Sequence, residues 1–396
     1  MPIKDQISSS ALRVIQALQK EGYEAYLVGG AVRDIILGRI PKDYDISTNA
    51  TPNQVKKVFG RRCRIIGRRF RLAHVYTKEM MFEVSTFRRT PSEEERKGRS
   101  NDDGTTVWRD NEFGTIDEDA ERRDYTANAI FYDPLSGSNT FHDPMGGVVD
   151  IEKGIVRCIG DPDQRILEDP VRMIRALKLV AEYGFKLEPE LKKSILINAD
   201  KISLSSQARL LEEIFKILKK PYSAETFDLL HGHGLLQYLL PLLDKNWKEA
   251  IGKDVKELLH TRDVLLNNGE VFPSRVTGIG IMVFPFVRHA FCDDLSKISW
   301  KNFSGIDKEI QSIIRDFLVP YTVPRYIVAK IRDVLLSQPK LIVKKNKARM
   351  TKHPEYNRTL DLLKVYATAY ERDDLIKFWP TENSKKFKRR PNKENE

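Results

Sequence analysis

No stretch of this sequence is apolar for long enough to cross a bilayer as a helix. The longest run, Gly278 to Val287, falls short of the about twenty residues that a span needs and is interrupted by Pro285. No membrane span is therefore expected. Cysteine is scarce. Cys63, Cys158 and Cys292 match no metal-ligand spacing and cannot all pair within one chain. A disulfide framework and a cysteine-bound zinc site are both excluded, and a reducing, cytoplasmic setting is the expectation. Met1 to Gln6 lack the basic and apolar regions of a signal peptide. No internal repeat is present. Acidic residues are the minority charge, 56 against 67 Lys and Arg, giving a net charge of +11. That balance suits a polyanionic partner, RNA or DNA, or an anionic surface.

What the chain does have is core-forming material. Of its 396 residues, 41% are hydrophobic and 31% charged, enough for two or three domains. The pattern is mixed α/β up to about residue 155 and helical beyond it. Helical spacing of Leu12, Ile15 and Leu18 predicts a first helix over 8–21. Ala25–Val28 reads as a buried strand, followed by a short helix from Val32 to Leu37. Thr51 and Pro52 read as an N-cap and first-turn proline for a helix through Phe59. Strands are expected at Cys63–Gly67, Ala73–Thr77, Met81–Thr86 and Ala129–Tyr132, a polar mobile loop at 90–107, and a helix at Asp117–Thr126. Beyond residue 160, Leu167, Val171, Ile174, Leu177 and Ala181 repeat every three or four positions, as one helix face does.

Chemistry concentrates in Gly29-Gly30-Ala31-Val32-Arg33-Asp34 and in Asp43-Tyr44-Asp45. Two glycines at a strand-to-helix turn let backbone N–H groups approach a phosphate. Asp43 and Asp45 are spaced i, i+2, which on a strand points both carboxylates to one face. Such a pair holds the Mg²⁺ ions of phosphoryl and nucleotidyl transfer, about 3.5–4 Å apart. A tight turn with a solvated acidic strand end is the alternative for each part taken alone. Two residues compete as a third carboxylate: Glu83, on the Met81–Thr86 strand, and Asp124, in Arg122-Arg123-Asp124.

In this combination the chain resembles the nucleotidyltransferase superfamily of DNA polymerase beta, and within it the bacterial group of tRNA CCA-adding enzymes and poly(A) polymerases. The resemblance implies an α+β protein: a catalytic head over 1–155, a helical neck over 156–245, a helical body and RNA-binding region over 246–383, and a basic disordered tail over 384–396. It implies catalytic roles for Asp43, Asp45 and Asp124, with metal on Asp43 and Asp45. It implies nucleotide binding by Gly29, Gly30, Arg33, Arg123, Asp169, Arg172 and Arg175. The last three lie in Glu168-Asp169-Pro170-Val171-Arg172-Met173-Ile174-Arg175, which matches the family's base-reading motif. On a helix Asp169 and Arg172 are i, i+3 neighbours, so an acceptor and donors stand side by side as on a base edge. Asp169 before Pro170 is also a good N-cap, and both readings can hold. Lys178 stands where the family often has a further arginine.

Two segments match the poly(A) branch. Ile65 to Val75 carries its basic signature, with Arg64, Arg68, Arg69 and Arg71 as candidate primer-phosphate contacts; a solvated basic strand end is the alternative. The region around His353-Pro354-Glu355-Tyr356 follows a second cluster, Lys344, Lys345, Lys347 and Arg349, read as an RNA track. The resemblance thus implies addition of AMP from ATP to RNA 3′ ends, with Mg²⁺, or in the nearest alternative CCA or A addition to tRNA. A catalytically idle RNA-binding protein on the same scaffold is a third reading. No His-Asp phosphohydrolase motif is present; His231 and His233 read as a helix-end turn.

Overall fold

Ser8 opens the first helix, α1 (Ser9–Lys20): its hydroxyl accepts the Ser10 N–H at 3.2 Å, and Val14, Ile15 and Leu18 are buried. The computed structural model describes residues 6–67, 71–90, 112–137, 140–291 and 303–379. Arg68, Arg69, Cys292, the tail 384–396 and all of the expected loop but Thr90 lie outside these residues.

After α1 come β1 (Ala25–Val28), α2 (Gly30–Ile36), β2 (Asp45–Thr48) and α3 (Pro52–Phe59). Thr51 and Gln54 form a capping box with Pro52 in the first turn, as the sequence predicts. Strands β3 (Cys63–Ile66), β4 (Leu72–Tyr76) and β5 (Met81–Thr86) follow, then α4 (Ile116–Glu121), β6 (Phe131–Tyr132) and β7 (Phe141–His142). These strands form one seven-stranded sheet in the order β3-β4-β5-β2-β1-β6-β7. Pairing is antiparallel except between β2 and β5, where a crossover through α3, β3 and β4 makes it parallel. The helix expected over Asp117–Thr126 ends at Glu121; a 3₁₀ turn, Thr126–Asn128, replaces its end, so Asp124 sits between the two.

The chain then adds α5 (Gly147–Lys153), β8 (Ile155–Val156) and α6 (Pro162–Glu168). The helical stripe from Leu167 to Ala181 proves to be two helices, α6 and α7 (Val171–Tyr183). Pro170 is the reason: a proline ring disfavours helical backbone in the residue before it. Leu167 is accordingly exposed at 52%, off the buried face. The strand β9 (Lys186–Leu187) pairs in parallel with β8.

The chain divides into two compact units, Met1–Glu168 with Tyr183–Ser194, and Asp169–Glu182 with Ile195–Glu396. The expected boundary near 155 falls at β8, whose partner β9 belongs to the returning segment. The Arg157 guanidinium reinforces that return, pairing with Asp150 at 3.0 Å and with Glu188.

The returning segment of the first unit starts α8 (Pro189–Ile197), and the second unit is helical: besides α7 it holds α9 (Gln207–Leu218), α10 (Ser223–Gly232), α11 (Leu236–Leu239), α12 (Pro241–Asn246), α13 (Ala250–Asn267), α14 (Arg275–Ala290), α15 (Phe303–Phe317), α16 (Arg325–Ile342), α17 (Lys347–Met350), α18 (Tyr356–Ala369) and α19 (Asp373–Phe378). The apolar run Gly278–Val287 is the fully buried centre of α14. A buried ion pair on α13 closes one helix and opens the next. Arg262 donates to the carbonyls of Leu218 and, at 3.1 Å, Lys220 past the end of α9; Asp263 accepts the Ser223 hydroxyl at 2.8 Å and the Ala224 N–H at 2.9 Å at the start of α10. Each charge satisfies backbone or hydroxyl groups at a helix end of the opposite polarity. No helix among the described residues is long and apolar enough to cross a membrane.

Candidate active site

The glycine turn ends β1 and starts α2 at Gly30, two residues before the expected position. Gly29 has φ 69° and ψ −130°, backbone that side chains avoid. A Cβ at Gly29 would lie 3.7 Å from Arg123 Nη1 and 3.9 Å from Asp45 Oδ2. The turn, a guanidinium and a carboxylate therefore converge in the first unit.

Asp45 is the first residue of β2, and Asp43 lies ahead of the strand in a bend. The pair is nonetheless alternate: both side chains are exposed, and Tyr44 between them is buried. The Tyr44 hydroxyl donates to the Gln6 carbonyl at 3.1 Å and accepts the Ser8 N–H, which fixes the backbone that presents both acids. Glu83 is the register partner of Asp45 across the parallel β2–β5 pair. The Asp45 carboxyl is pushed up to about 6. Protein packed round it disfavours the charged form most, the Glu83 and Asp43 charges add to this, and Arg123 opposes it. The side chain still faces solvent, so partial rather than complete loss of water supplies the effect.

Arg123 is held from three sides. Its Nη2 donates to Asp119 Oδ2 at 2.8 Å, its Nη1 to the Asn128 carbonyl at 3.2 Å, and its guanidinium lies 5.1 Å from the Phe131 ring centroid. Asp119 is buried and also accepts the Arg88 N–H at 3.2 Å and the Ser47 hydroxyl at 3.4 Å. Asp119 is absent from the sequence expectations, although its i, i+4 spacing to Arg123 on a capped helix is a readable signal.

Arg33 is buried on α2. Its guanidinium donates to Asn128 Oδ1 and, at 2.9 Å, to the Tyr183 hydroxyl, and stacks 4.5 Å from the Tyr183 ring centroid. Asn128 Nδ2 in turn donates to Asp124 Oδ1 at 3.0 Å, and the Tyr183 hydroxyl donates to Asp34 Oδ1 at 2.7 Å. One polar chain thus links Asp34, Tyr183, Arg33, Asn128 and Asp124. Asn128 and Tyr183 carried no sequence signal, because their partners lie far away along the chain. Asp124 also accepts the Tyr125 N–H at 2.9 Å. Arg33 backs the glycine turn, its Nη2 standing 3.5 Å from the Cβ position of Gly30.

In the second unit Asp169 Oδ1 accepts the Val171 N–H at 3.3 Å, so the carboxylate does cap α7. Its other oxygen accepts Arg209 from α9 at 2.8 Å and Arg175 at 3.5 Å. Arg172 is half-buried. Arg209 is a further addition to the expected set. Lys178 is paired with buried Glu213 of α9 at 3.0 Å, and Lys216 meets the same carboxylate at 2.8 Å.

The basic candidates divide. Arg64 and Arg71 are exposed, as are Lys345 and Arg349. Lys344 is paired with Asp374 at 2.9 Å, and Lys347 donates to the Phe378 carbonyl at 2.7 Å while lying over its ring. Those two lysines fasten α19.

A family model described as the poly(A) polymerase head domain matches residues 25–157. A second, described as a probable RNA and SrmB-binding site of polymerase A, matches 184–246. The chain is 34% identical over 392 residues to poly(A) polymerase I of Escherichia coli, covering 94% of this chain and 82% of that protein. It is 38% identical over 235 residues to the CCA-adding enzyme of Geobacillus thermodenitrificans, covering 59% and 55%. Among solved structures, the Bacillus stearothermophilus CCA-adding enzyme in complex with CTP matches with a TM-score of 0.65 at 28% identity, covering 96% of this chain and 82% of that one. With an α+β architecture, a matched head and a relative aligned along most of both chains, this chain belongs to the poly(A) polymerase family of nucleotidyltransferases that act on RNA 3′ ends.

Proposed function

We propose that the protein adds AMP from ATP to RNA 3′ ends without a template, using Mg²⁺ at Asp43 and Asp45. The observation that carries this reading is the convergence of Gly29, Arg123 and Asp45, with Asp43 and Glu83 acting electrostatically on Asp45. Among the described residues no three metal-ligating side chains stand close enough to hold an ion by themselves. Mg²⁺ does not need them, because it is commonly held by one or two carboxylates, with water and substrate phosphate completing the shell. Burial raises the Asp45 carboxyl most, and the neighbouring Glu83 and Asp43 charges raise it further, a negative field that a cation relieves. The residues fit the ion.

When bound, the metal neutralises triphosphate charge and acidifies the RNA 3′-hydroxyl. The protein's own groups do the rest. The amides of the Gly29–Gly30 turn and Arg123, fixed by Asp119, draw the triphosphate. Arg33 lends charge from behind the turn. Asp169 accepts and Arg172 and Arg175 donate to the adenine edge, in planar charge-assisted bonds. Glu83 and Asp124 stand as candidates to support the reacting centre. The 3′-oxygen bonds to the α-phosphorus, the bond to the bridging oxygen breaks, and pyrophosphate leaves. Arg64 and Arg71 in the first unit, and Lys345 and Arg349 in the second, are exposed cations available to RNA phosphates, which suits mRNA or other single strands. Phosphate contacts of this kind carry no base preference.

A second reading, CCA or A addition to tRNA, is favoured by the 38% identity over 235 residues to a CCA-adding enzyme. Incubation with ATP alone, CTP alone and both, on an unstructured RNA and on tRNA lacking its end, decides. The expected result is a run of A on the unstructured RNA. A discrete restored CCA end with no A tail elsewhere installs the second reading.

A further inference from the structure

Strand register carries the site beyond its carboxylates. Asp45 on β2 pairs with Glu83 on β5, Glu83 with His74 on β4, and His74 with Arg64 on β3. Register partners share a face of the sheet, so these residues form one row across four adjacent strands. The row starts at the proposed metal ligand and ends on the edge strand. At about 4.8 Å per strand, Arg64 stands roughly 14 Å from Asp45 along the sheet.

The alternation of burial marks the same face. Phe82, Val84, Ala73, Val75 and Cys63 point into the core, while Met81, Glu83, Tyr76 and Arg64 are open to solvent. Tyr76 is 39% exposed and pairs in register with Met81, itself 38% exposed. The Arg64 guanidinium lies over the Tyr76 ring, 5.8 Å from its centroid. Among the described residues no carboxylate pairs with Arg64. His74 is turned inward along the row, its Nε2 3.8 Å from Glu83 Oε1. A folded core does not require an exposed tyrosine, an exposed methionine and an arginine grouped on one open face of a sheet. A single-stranded nucleic acid uses all of them, because bases stack on aromatic faces and phosphates meet the cation.

We propose that this face is the binding track for the last nucleotides of the RNA primer. Tyr76 stacks a base upstream of the 3′ end, with Met81 flanking it. Arg64 holds a phosphate at the sheet edge and pins the Tyr76 ring. His74 is a positioning residue that orients Glu83. The inference rests on the proposed RNA 3′-end activity and adds to it the path by which the strand reaches Asp45.

The test compares wild type with Tyr76→Ala, Tyr76→Phe and Arg64→Ala. The readouts are KM for an oligoadenylate primer, KM for ATP, melting temperature, and binding of a labelled oligoadenylate by fluorescence anisotropy. Tyr76→Ala is expected to weaken primer binding by about tenfold or more, since one base–aromatic stack is removed. Its KM for ATP and its melting temperature stay at the wild-type values. Tyr76→Phe restores primer affinity, because the ring rather than the hydroxyl does the stacking. Arg64→Ala makes the slope of log affinity against log salt shallower by about 0.7, the share of one neutralised phosphate on a single strand. A dinucleotide primer, too short to reach Arg64 on the edge strand, is insensitive to Arg64→Ala. Wild-type primer affinity in Tyr76→Ala together with an unchanged salt slope in Arg64→Ala overturns the track. A wild-type enzyme that adds no nucleotide overturns the proposed function instead, and the anisotropy measurement still decides the track.

Discussion

At Asp45 the proposed function and stability pull in opposite directions. Its folded-state carboxyl stands at about 6, above its ordinary value of 3.8. The fold therefore disfavours the charged form, and the penalty grows as pH rises from about 4 through 6. Asp45→Asn removes that charge. In EDTA the variant is expected to melt at or above the wild-type temperature at pH 7.5, and the difference should vanish near pH 4. Its nucleotide addition, and that of Asp43→Asn, should fall below about a hundredth of wild type, because the proposed cation site loses an anionic ligand. Scanning calorimetry and a primer-extension assay read the two effects separately. Lower melting of Asp45→Asn at both pH values would assign the residue a structural role. Asp43 and Asp45 could be singled out from their i, i+2 spacing in combination with the glycine turn ahead of them. Asn128 and Tyr183 could not, since each matters through a partner that folding brings near.

At the scale of elements, α7 and α9 are joined by two ion pairs of opposite sense. α7 is preceded by an acid, Asp169, that meets Arg209, and carries a base, Lys178, that meets Glu213. Burial opposes charge on both partners of the inner pair. It lowers the Lys178 ammonium, whereas at Glu213 the Lys178 and Lys216 charges outweigh it and hold the carboxyl down. Breaking such a pair strands a buried charge, at a cost of about 3–5 kcal/mol, while exchanging its members does not. Lys178→Glu and Glu213→Lys are each expected to lower the melting temperature by several degrees, and the double reversal to recover most of it. An additive decrease in the double variant would show that the two side chains do not interact. This pairing also gives Lys178 a role that its place in the motif did not disclose. The same lesson holds at Pro170, where a continuous apolar stripe concealed a break between helices that proline chemistry explains.

For the whole molecule, charge decides more than shape. The segment 384–396 carries Lys385, Lys386, Lys388, Arg389, Arg390 and Lys393. Deleting it is expected to leave KM for ATP unchanged and to weaken RNA binding. The salt slope should become shallower by about 0.7 for each phosphate that the segment neutralises, read from oligoadenylate titrations over a range of salt. An unchanged slope would show that the segment does not touch RNA. The sequence by itself determined the family, the α+β class, the capped helices and the residues with chemistry in short motifs. Those features rest on local rules: glycine at positive φ, alternation along a strand, a cap before a helix. Only the tertiary structure decided that Glu83 is the strand partner of Asp45, that Asn128 and Tyr183 hold Arg33, and that Lys344 and Lys347 fasten the last helix. It also laid Arg64, His74, Glu83 and Asp45 in one row. Those facts depend on sheet register and helix packing, which join residues distant in sequence, and no periodicity along the chain encodes which strand lies beside which.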